Sequence, residues 1–254
     1  MLFLKSESSY DASSLKTFPF CHATDVLEGL SMSVGNMASG FPFEIEGVRF
    51  HNSEAAYIAG AFSEVSDAHI DVQSQLVVET NGFMSKKRIR RANEDGKRAD
   101  WNEFNVVWML YVVWCKCVGN EDFRSLLVSI PREAVIIEDS THQHGATASF
   151  WGAKNSVHRS LHVALNRQLR SEGMSKCRRK ALLNGHRLNQ WRDKGVYIGC
   201  NVMGKILMLC RDALLEGSVP PIDIALLRSK RIHLLGKPLS FDLPSTSINL
   251  EDTA

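Results

Sequence analysis

The stretch FNVVWMLYVVWCKCV, Phe104–Val118, decides the fold of this chain, because it is apolar on every side of a helix. A helix of this kind lies buried in the centre of a core. Asp100 and Glu103 precede it at the spacing of a capping box, which indicates a helix start. The longest apolar run, Val106–Cys115, has ten residues, whereas a membrane-spanning helix needs about 20. We therefore predict a buried central helix and no membrane span.

The composition is that of an ordinary globular protein. The 254 residues contain 30 Lys+Arg and 28 Asp+Glu, which leaves a formal net charge of +2. This balance argues against a disordered polyanion and against a histone-like polycation. With 44% hydrophobic residues the chain can bury a substantial core, and we expect one compact unit. The start, MLFLKSESSYD, lacks the apolar segment of a secretory signal, which favours a cytoplasmic protein.

The six cysteines are scattered, without a Cys-x-x-Cys pair or a histidine at zinc-finger spacing. This pattern favours reduced thiols over a disulfide or structural metal framework. His142 and His144 alone do not define a metal site. We therefore predict neither a metal nor another cofactor.

The remaining periodicity predicts a mainly α protein with a few short strands, which is the α+β class. Phe41–Phe50 alternates apolar and polar residues around Glu46-Gly47, which indicates a hairpin. Ser53 is a good N-cap for the next helix and places Glu54 in its first turn. Further predicted elements are helices over 121–130 and 201–215, a helical face of Leu161, Ala164, Leu165 and Leu169, and a strand over 134–137.

The two ends of the chain differ from its centre. Residues 1–20 and 239–254 are rich in polar residues and lack apolar periodicity, so we expect both segments to be loosely ordered. Residues 21–238 are expected to form the single domain.

Three features suggest chemistry. The loop GNMASGFPF, Gly35–Phe43, leads through the hairpin to Glu54. In the first helical turn this carboxylate lies at the positive end of the helix dipole, worth about 0.3–1 kcal/mol, which favours the ionised form. The functional interpretation is a charged carboxylate aimed at a cationic centre, and the alternative is an ordinary helix-start glutamate.

The second feature is a basic run that binds phosphate or nucleic acid if its cations replace condensed counterions. The alternative is a solvated helix face. Its members are Lys86, Lys87, Arg88, Arg90, Arg91, Lys97 and Arg98.

The third feature is Phe150-Trp151-Gly152, where a large ring adjoins a residue without a side chain. This suits a flat ligand stacked on the indole, although an aromatic plug at a loop corner is an equal alternative.

The chain resembles the longer members of the NADAR (YbiA-like) family. The resemblance spans Ser31 to Arg211; no single piece of it is specific, but the ordered set is. It rests on GNMASGFPF, Ser53-Glu54-Ala55-Ala56-Tyr57, GFMSKKR, Arg98-x-Asp100-Trp101, Phe150-Trp151-Gly152 and the run GxNxxGKxLMxxR from Gly199 to Arg211. A single compact YbiA-like domain is the fold that this resemblance implies.

The activity implied by the resemblance is that of an N-glycosidase, a hydrolase that cleaves a ribose C1–N bond. The extra length and the basic run favour removal of ADP-ribose from guanine, in nucleic acid as part of DNA or RNA repair or in a free nucleoside. The alternative substrate is a phosphoribosylamino-pyrimidine intermediate of riboflavin synthesis. A non-catalytic nucleotide- or nucleic-acid-binding module is the competing class, and it requires no Glu54.

The resemblance also implies roles for individual residues. A preplaced carboxylate, Glu54, would stabilise positive charge at C1. Lys86 matches the family's lysine and would form a Schiff base with C1, provided that desolvation or neighbouring cations deprotonate it; Lys87 is the alternative. The expected substrate-binding residues are Asn36, Arg98, Trp101, Trp151, Gly152, Asn201 (an N-cap in the alternative interpretation) and Lys205.

The chain departs from the family at one acidic position. Many shorter members carry an aspartate three residues before the Trp-Gly pair, and here that position is Ala148. We expect either that this acid is dispensable or that Glu138 or Asp139 replaces it. An inactive descendant of the family is a further alternative.

Overall fold

The computed structural model describes residues 2–243 and confirms the predicted α+β class. Within these residues the chain forms two compact units, each built from an early and a late stretch of sequence. The first unit consists of the residues up to Met32 together with Ile130–Lys205, and the second of Ser33–Ser129 together with the residues from Ile206 onward. No single cut in the sequence separates the two units.

The helices and strands are as follows. The helices are α1 (Leu2–Lys5), α2 (Ser53–Ala61), α3 (Asp67–Val78), α4 (Gly82–Met84), α5 (Trp101–Gly119), α6 (Glu121–Val128), α7 (Ala146–Trp151), α8 (Ser156–Ser171), α9 (Lys176–Asn189), α10 (Val202–Leu215) and α11 (Ile224–Ser229). A π-helical segment, Ser85–Arg90, and a 3-10 turn, Glu94–Gly96, lie between α4 and α5. The strands are β1 (Ser8–Asp11), β2 (Thr17–Phe20), β3 (Val26–Leu27), β4 (Leu30–Ser31), β5 (Phe43–Ile45), β6 (Val48–Phe50), β7 (Val135–Glu138), β8 (Lys154–Asn155), β9 (Val196–Gly199), β10 (His233–Leu234) and β11 (Lys237–Pro238).

The first unit contains two sheets that tie the start of the chain to its later part. β2 pairs in parallel with β7, Thr17 lying opposite Val135, and β1 pairs antiparallel with β9, which also pairs with β8. Phe18 and Phe20 of β2 are buried. The expectation that residues 1–20 are loosely ordered is therefore corrected for 8–11 and 17–20, because their partner strands lie far away in sequence and leave no local signal.

Helices α8 and α9 of the first unit pack through an apolar cluster of Leu169, Leu183 and Trp191. Leu161 and Leu165 pack against this cluster, as the predicted helical face requires, whereas Ala164 is exposed. Asn155 caps α8 by accepting a hydrogen bond from the His158 N–H.

The predicted central helix of the second unit is confirmed: α5 is buried along most of its length. It packs against α2, every residue of which is buried. The Trp108 indole N–H donates to the carbonyls of Ala56 and Tyr57, at 3.1 and 3.2 Å. Gly60 makes this approach feasible, because a Cβ there would lie 2.3 Å from the indole nitrogen. No helix among residues 2–243 has the length and apolar character needed to cross a bilayer.

Two helix starts differ from the prediction. Asn52, and not Ser53, is the N-cap of α2, and its side chain accepts a hydrogen bond from the Ala55 N–H at 2.8 Å. At α5 the Asp100 side chain makes no capping bond. It pairs with Arg98 instead, at 2.6 Å, because a guanidinium is a stronger partner for a carboxylate than a backbone N–H.

The hairpin prediction is confirmed, since β5 and β6 pair antiparallel around Glu46-Gly47. Glu46 also holds the later part of the chain, because its carboxylate accepts hydrogen bonds from the Ser240 and Phe241 N–H groups. Phe241 is buried against Trp108. This corrects the expectation of a loose segment at residues 240–241, while the part of that prediction covering 244–254 lies outside the described residues.

Lys116 of α5 is fully buried, and its ammonium nitrogen has no hydrogen-bond partner among the described residues. The nitrogen lies 3.8 Å from the centroid of the Phe123 ring and 5.1 Å from that of Phe41. These cation–π contacts replace only part of the lost hydration. Burial therefore lowers the pKa of Lys116 from 10.5 to about 7.

We expect Lys116→Met to stabilise the protein. Between pH 10.5 and 7 the unfolded chain binds a proton that the folded protein does not, so falling pH reduces the stability of the native protein across this window. The shift corresponds to about 3–5 kcal/mol. Urea unfolding should show a gain of about that size at pH 6 that shrinks toward pH 10.

The matched control is Lys237→Met, which alters an exposed lysine of the same unit and should change the unfolding free energy by less than about 0.5 kcal/mol at every pH. A destabilised Lys116→Met variant at both pH values would contradict the assignment of a buried, unpaired amine.

Candidate functional site

The candidate site of the second unit begins where the loop of residues 35–40 meets the start of α2. The Asn36 carbonyl accepts a hydrogen bond from the Glu54 N–H at 2.9 Å. The Asn36 side-chain amide donates to Glu54 Oε2. Asn36 thus holds both the backbone and the carboxyl group of Glu54, so it acts as a positioning residue for that carboxyl.

Glu54 is only 2% exposed, and burial raises the pKa of its carboxyl. The positive charges of Lys86 and Arg90 act in the opposite direction but do not cancel the effect of burial. Burial acts against the ionised form that the helix dipole was expected to favour, because the dipole contributes at most about 1 kcal/mol at exposed sites and full burial of a carboxylate outweighs it. Burial and the two cations thus shift the pKa of the Glu54 carboxyl in opposite directions, and the net shift is upward.

The π-helical segment Ser85–Arg90 presents these two cations. Lys86 is exposed, and Arg90, four residues later, is half-buried. π-helical turns occur mainly where a side chain is redirected at a functional site. Lys87 points elsewhere, with its ammonium 5.5 Å from the centroid of the Phe83 ring. Of the two lysines that the sequence left open, Lys86 is the one whose charge acts on Glu54.

The exposure of Lys86 differs from the expected desolvated amine. The neighbouring cation that the prediction also allowed is present. Arg90 lies on the same π-helical segment as Lys86, and its charge acts on the Glu54 carboxyl group.

Two aromatic side chains follow from the carboxyl group, Tyr57 beside it and Trp101 packed on Tyr57. Tyr57 lies one helical turn after Glu54, and burial together with the Glu54 charge raises the pKa of its phenol. Trp101 packs against Tyr57, with ring centroids 5.0 Å apart, and its side chain forms a hydrogen bond with Tyr57. Trp101 is itself buried, and it supports the Tyr57 ring.

Arg98 was expected to bind substrate, and in the structure its guanidinium has several partners within the protein. Its guanidinium donates to Asp100, to Ser63 Oγ at 2.9 Å and to the Lys230 carbonyl at 2.7 Å, and it lies over the Phe104 ring. A buried guanidinium with all these partners anchors α5 and leaves little capacity for a ligand.

Trp151 and Gly152 belong to the first unit, as do Asn201 and Lys205. Trp151 is half-buried and meets Phe150 edge to face, with centroids 5.5 Å apart. A Cβ at Gly152 would lie 2.3 Å from the Glu138 carbonyl oxygen. The glycine is therefore required by the packing of the backbone against β7, which is a role that needs no ligand.

Asn201 was expected to contact substrate, and in the structure its side chain bonds to the backbone of β7. Its amide oxygen accepts from the Glu138 N–H at 3.0 Å, and its amide nitrogen donates to the Ile136 carbonyl at 2.8 Å. The residue adopts a φ of +49°, a conformation that asparagine tolerates better than most residues. Gly204 in the same motif packs against the same carbonyl of Ile136. The GxNxxG pattern is explained by the packing of α10 on β7.

Lys205 was also expected to bind substrate. Its ammonium group donates to the carbonyls of Phe3 and Ser6, at 3.0 and 2.8 Å, and so closes the end of α1. Within the described residues both hydrogen bonds go to the backbone, and a substrate contact of Lys205 stays a prediction.

Asp139 is buried and already committed to an ion pair. One carboxylate oxygen accepts from the Thr141 N–H at 3.0 Å, and the other lies 3.4 Å from the Arg187 guanidinium, which also pairs with Asp25. Replacement of the aspartate missing at Ala148 by Glu138 or Asp139 stays a prediction. Among the described residues, no cluster of three or more His, Cys, Asp and Glu is arranged to hold a metal ion.

Sequence reasoning missed Tyr57 and Arg90 as members of the site. Tyr57 follows Glu54 by three residues, the spacing that puts two side chains on one helix face. Arg90 was counted only as part of the basic run, because π-helical geometry has no sequence signal.

Comparison with known proteins gives a structural likeness. No family model matches the chain, and no curated protein matches it. A solved NMR structure of the Escherichia coli protein YbiA is similar to 79% of this chain and 86% of that protein, with 16% sequence identity and a TM-score of 0.47.

We expect Asn201→Ala to destabilise the protein by about 3 kcal/mol, because it leaves two buried backbone groups unpaired and strains the backbone. Asn201→Gly removes the same hydrogen bonds but permits the positive φ, so it should lose about 1 kcal/mol less. Urea unfolding of both variants measures these losses. Equal stability of Asn201→Ala and the native protein would contradict the structural role.

Proposed function

We propose that the protein is an N-glycosidase that cleaves a ribose C1–N bond, with ADP-ribosylated guanine as its substrate. The observation that supports this proposal is the buried Glu54 carboxyl, which accepts a hydrogen bond from the Asn36 side chain. Burial raises the pKa of this carboxyl, and the positive charges of Lys86 and Arg90 act in the opposite direction. Placing an acid in a dry site is unfavourable for stability, and such perturbed groups are concentrated at functional sites.

Glu54 would act by electrostatic stabilisation. Opening of the ribose ring and departure of guanine both develop positive charge on C1 and on the nitrogen bound to it. A carboxylate fixed nearby in a water-poor environment stabilises that charge without reorganisation of the site. Lys86 and Arg90 would keep a fraction of Glu54 ionised before the substrate binds.

Lys86 would supply a nucleophile. The ribose ring opens as the bond from C1 to the ring oxygen breaks and that oxygen takes a proton, which leaves C1 doubly bonded to the guanine nitrogen. The neutral Lys86 amine adds to C1, guanine leaves with a proton on its nitrogen, and C1 remains bound to Lys86 as a Schiff base. Water hydrolyses this intermediate and releases ADP-ribose and the free amine.

The charges beside the site favour a substrate with two phosphates. Arg88 and Arg91 are exposed next to Lys86, and fixed cations of this kind bind phosphate esters. A phosphoribosylamino-pyrimidine carries the same ribosyl linkage with a single phosphate, and it is the second substrate to assay. The partner would be ADP-ribosylated guanine in nucleic acid or as a free nucleoside.

We expect Glu54→Gln and Lys86→Ala each to reduce release of ADP-ribose from ADP-ribosylated guanosine by about 100-fold or more. Mass spectrometry of the products measures the rate. The matched control is Lys87→Ala, which removes the adjacent lysine that lies over Phe83 and should retain turnover.

Borohydride reduction separates the roles of the two lysines. A covalent adduct should form with the native protein and with Lys87→Ala, and be lost in Lys86→Ala. Full turnover by Glu54→Gln, or an adduct retained in Lys86→Ala, would remove that residue from the mechanism. Absence of turnover by the native protein on both ribosyl substrates would refute the proposed function.

The pH dependence of turnover tests the link between Arg90 and Glu54. If the carboxylate is the active form, kcat/KM has its full value above the raised pKa of Glu54 and decreases as the pH falls through that pKa. Arg90→Gln removes a charge that lowers this pKa, so the acidic limb should move to higher pH by about 0.5–1 unit. Arg91→Gln, which changes an exposed arginine next in sequence, should leave the limb in place. An unmoved limb in Arg90→Gln would contradict the coupling.

A further inference from the structure

A second region with the properties of a binding site lies entirely within the first unit. A cavity of about 400 Å³ is bordered by α8, α9 and the segment after β2. Its volume falls in the range of small-molecule sites, about 300–1,000 Å³. None of the residues attributed to the candidate glycosidase site lines it. The cavity therefore calls for a separate explanation.

The side chains that border this cavity are predominantly basic. They include His22, His142, His162, Lys176, Arg179 and Lys180, and within the described residues no carboxylate lines the space. The wider hairpin, residues 156–190, contains eight Lys and Arg against one Glu, a formal charge of +7 in a chain whose total is +2. The cavity thus lies against a strongly basic stretch of the chain.

Two of these cations have no ion-pair partner. Lys176 and Lys180 lie four residues apart, on one face of α9, and neither forms a salt bridge or a hydrogen bond through its amine within residues 2–243. Like charges at this spacing repel each other. By contrast, the Arg187 guanidinium at the same cavity is neutralised by Asp25 and Asp139. Within the described residues, no carboxylate compensates the charges of these two lysines.

The other basic groups are held in place for a ligand. The Arg179 guanidinium donates to Asn166 Oδ1 at 3.2 Å and to the Met174 carbonyl, which fixes the orientation of its plane. The His142 and His162 rings lie 4.2 Å apart. Desolvation, and then the neighbouring His162, lower the pKa of His142, which favours the neutral form of this imidazole.

We propose that this cavity is a binding site for a phosphorylated ligand of nucleotide size, whose phosphate groups contact Lys176, Lys180 and Arg179. A phosphate supplies a negative counter-charge for the two lysines, and its oxygens accept hydrogen bonds from the Arg179 guanidinium. The paired imidazoles and the apolar side chain of Leu183 provide a surface for the base. This inference does not depend on the proposed glycosidase activity.

Calorimetric titration tests the proposal with defined probes. ADP should bind, pyrophosphate should compete with it, and adenosine should not bind. A 5′-phosphorylated thymidine hexamer, compared with the same hexamer carrying a 5′-hydroxyl, shows whether the phosphate comes from a free nucleotide or from the end of a nucleic acid. Dependence of binding on the phosphate group in either comparison supports the site.

The matched variants assign the phosphate to the cavity. Lys176→Gln with Lys180→Gln should weaken binding by about tenfold or more, because each charged hydrogen bond is worth about 1.5–3 kcal/mol. Arg167→Gln with Arg178→Gln removes the same charge from exposed positions of α8 and α9 outside the cavity, and should weaken binding by less than about threefold.

Two results would overturn the proposal. Equal loss of affinity in the two double variants would mean that the phosphate responds to diffuse charge and not to the cavity. Absence of binding by the native protein to ADP, pyrophosphate and the phosphorylated hexamer would mean that no phosphate site exists. Circular dichroism of each variant establishes that it is folded before titration.

Discussion

The approach of the Trp108 indole to the backbone of α2 is the constraint on which the second unit depends. The indole fills the space that any side chain at Gly60 would need, and it satisfies two carbonyls in the middle of the helix. This contact fixes the position of α2 against α5, the long central helix of the unit. The start of α2, with Asn52 as its cap and Glu54 in its first turn, is positioned as a result.

The candidate site combines features that are unfavourable for stability. The Glu54 carboxyl is buried without a direct ion pair among the described side chains. The Asn36 amide donates a hydrogen bond to it, and the charges of Lys86 and Arg90, on the π-helical segment, act on it. Local departures from ordinary packing rules are expected at functional sites. The buried Lys116 of the same unit is a comparable departure, yet it lies between two phenyl rings and away from Glu54 in the chain. The difference is that Glu54 has polar neighbours arranged around it.

Much of the fold was readable from local patterns, and much of the site was not. The apolar stretch at Phe104–Val118, the hairpin at 43–50 and the helix over 201–215 each follow from periodicity that is complete within a short window. The strands at 8–11 and 17–20 were missed because their stability comes from partners at 196–199 and 135–138.

Motif positions were similarly ambiguous between chemistry and packing. Asn201 and Gly152 belong to recognisable patterns, but the structure uses both in contacts with β7. The Arg98 guanidinium bonds to Asp100, Ser63 and the Lys230 carbonyl. No sequence signal distinguishes such an anchoring guanidinium from one that binds a ligand. Glu54 and Lys86 are placed where their charges interact. The state of the carboxyl depends on burial, which only the fold determines.

The parallel pairing of β2 with β7 has a consequence for the order in which the protein is made. Thr17 leaves the ribosome more than a hundred residues before Val135, its partner. Until then Phe18 and Phe20 are exposed on an unpaired strand, a surface that favours intermolecular association. Contacts between residues so distant in sequence also slow folding. Biosynthesis therefore imposes a waiting period on the N-terminal strands, and chaperone binding to the nascent chain is expected during that interval.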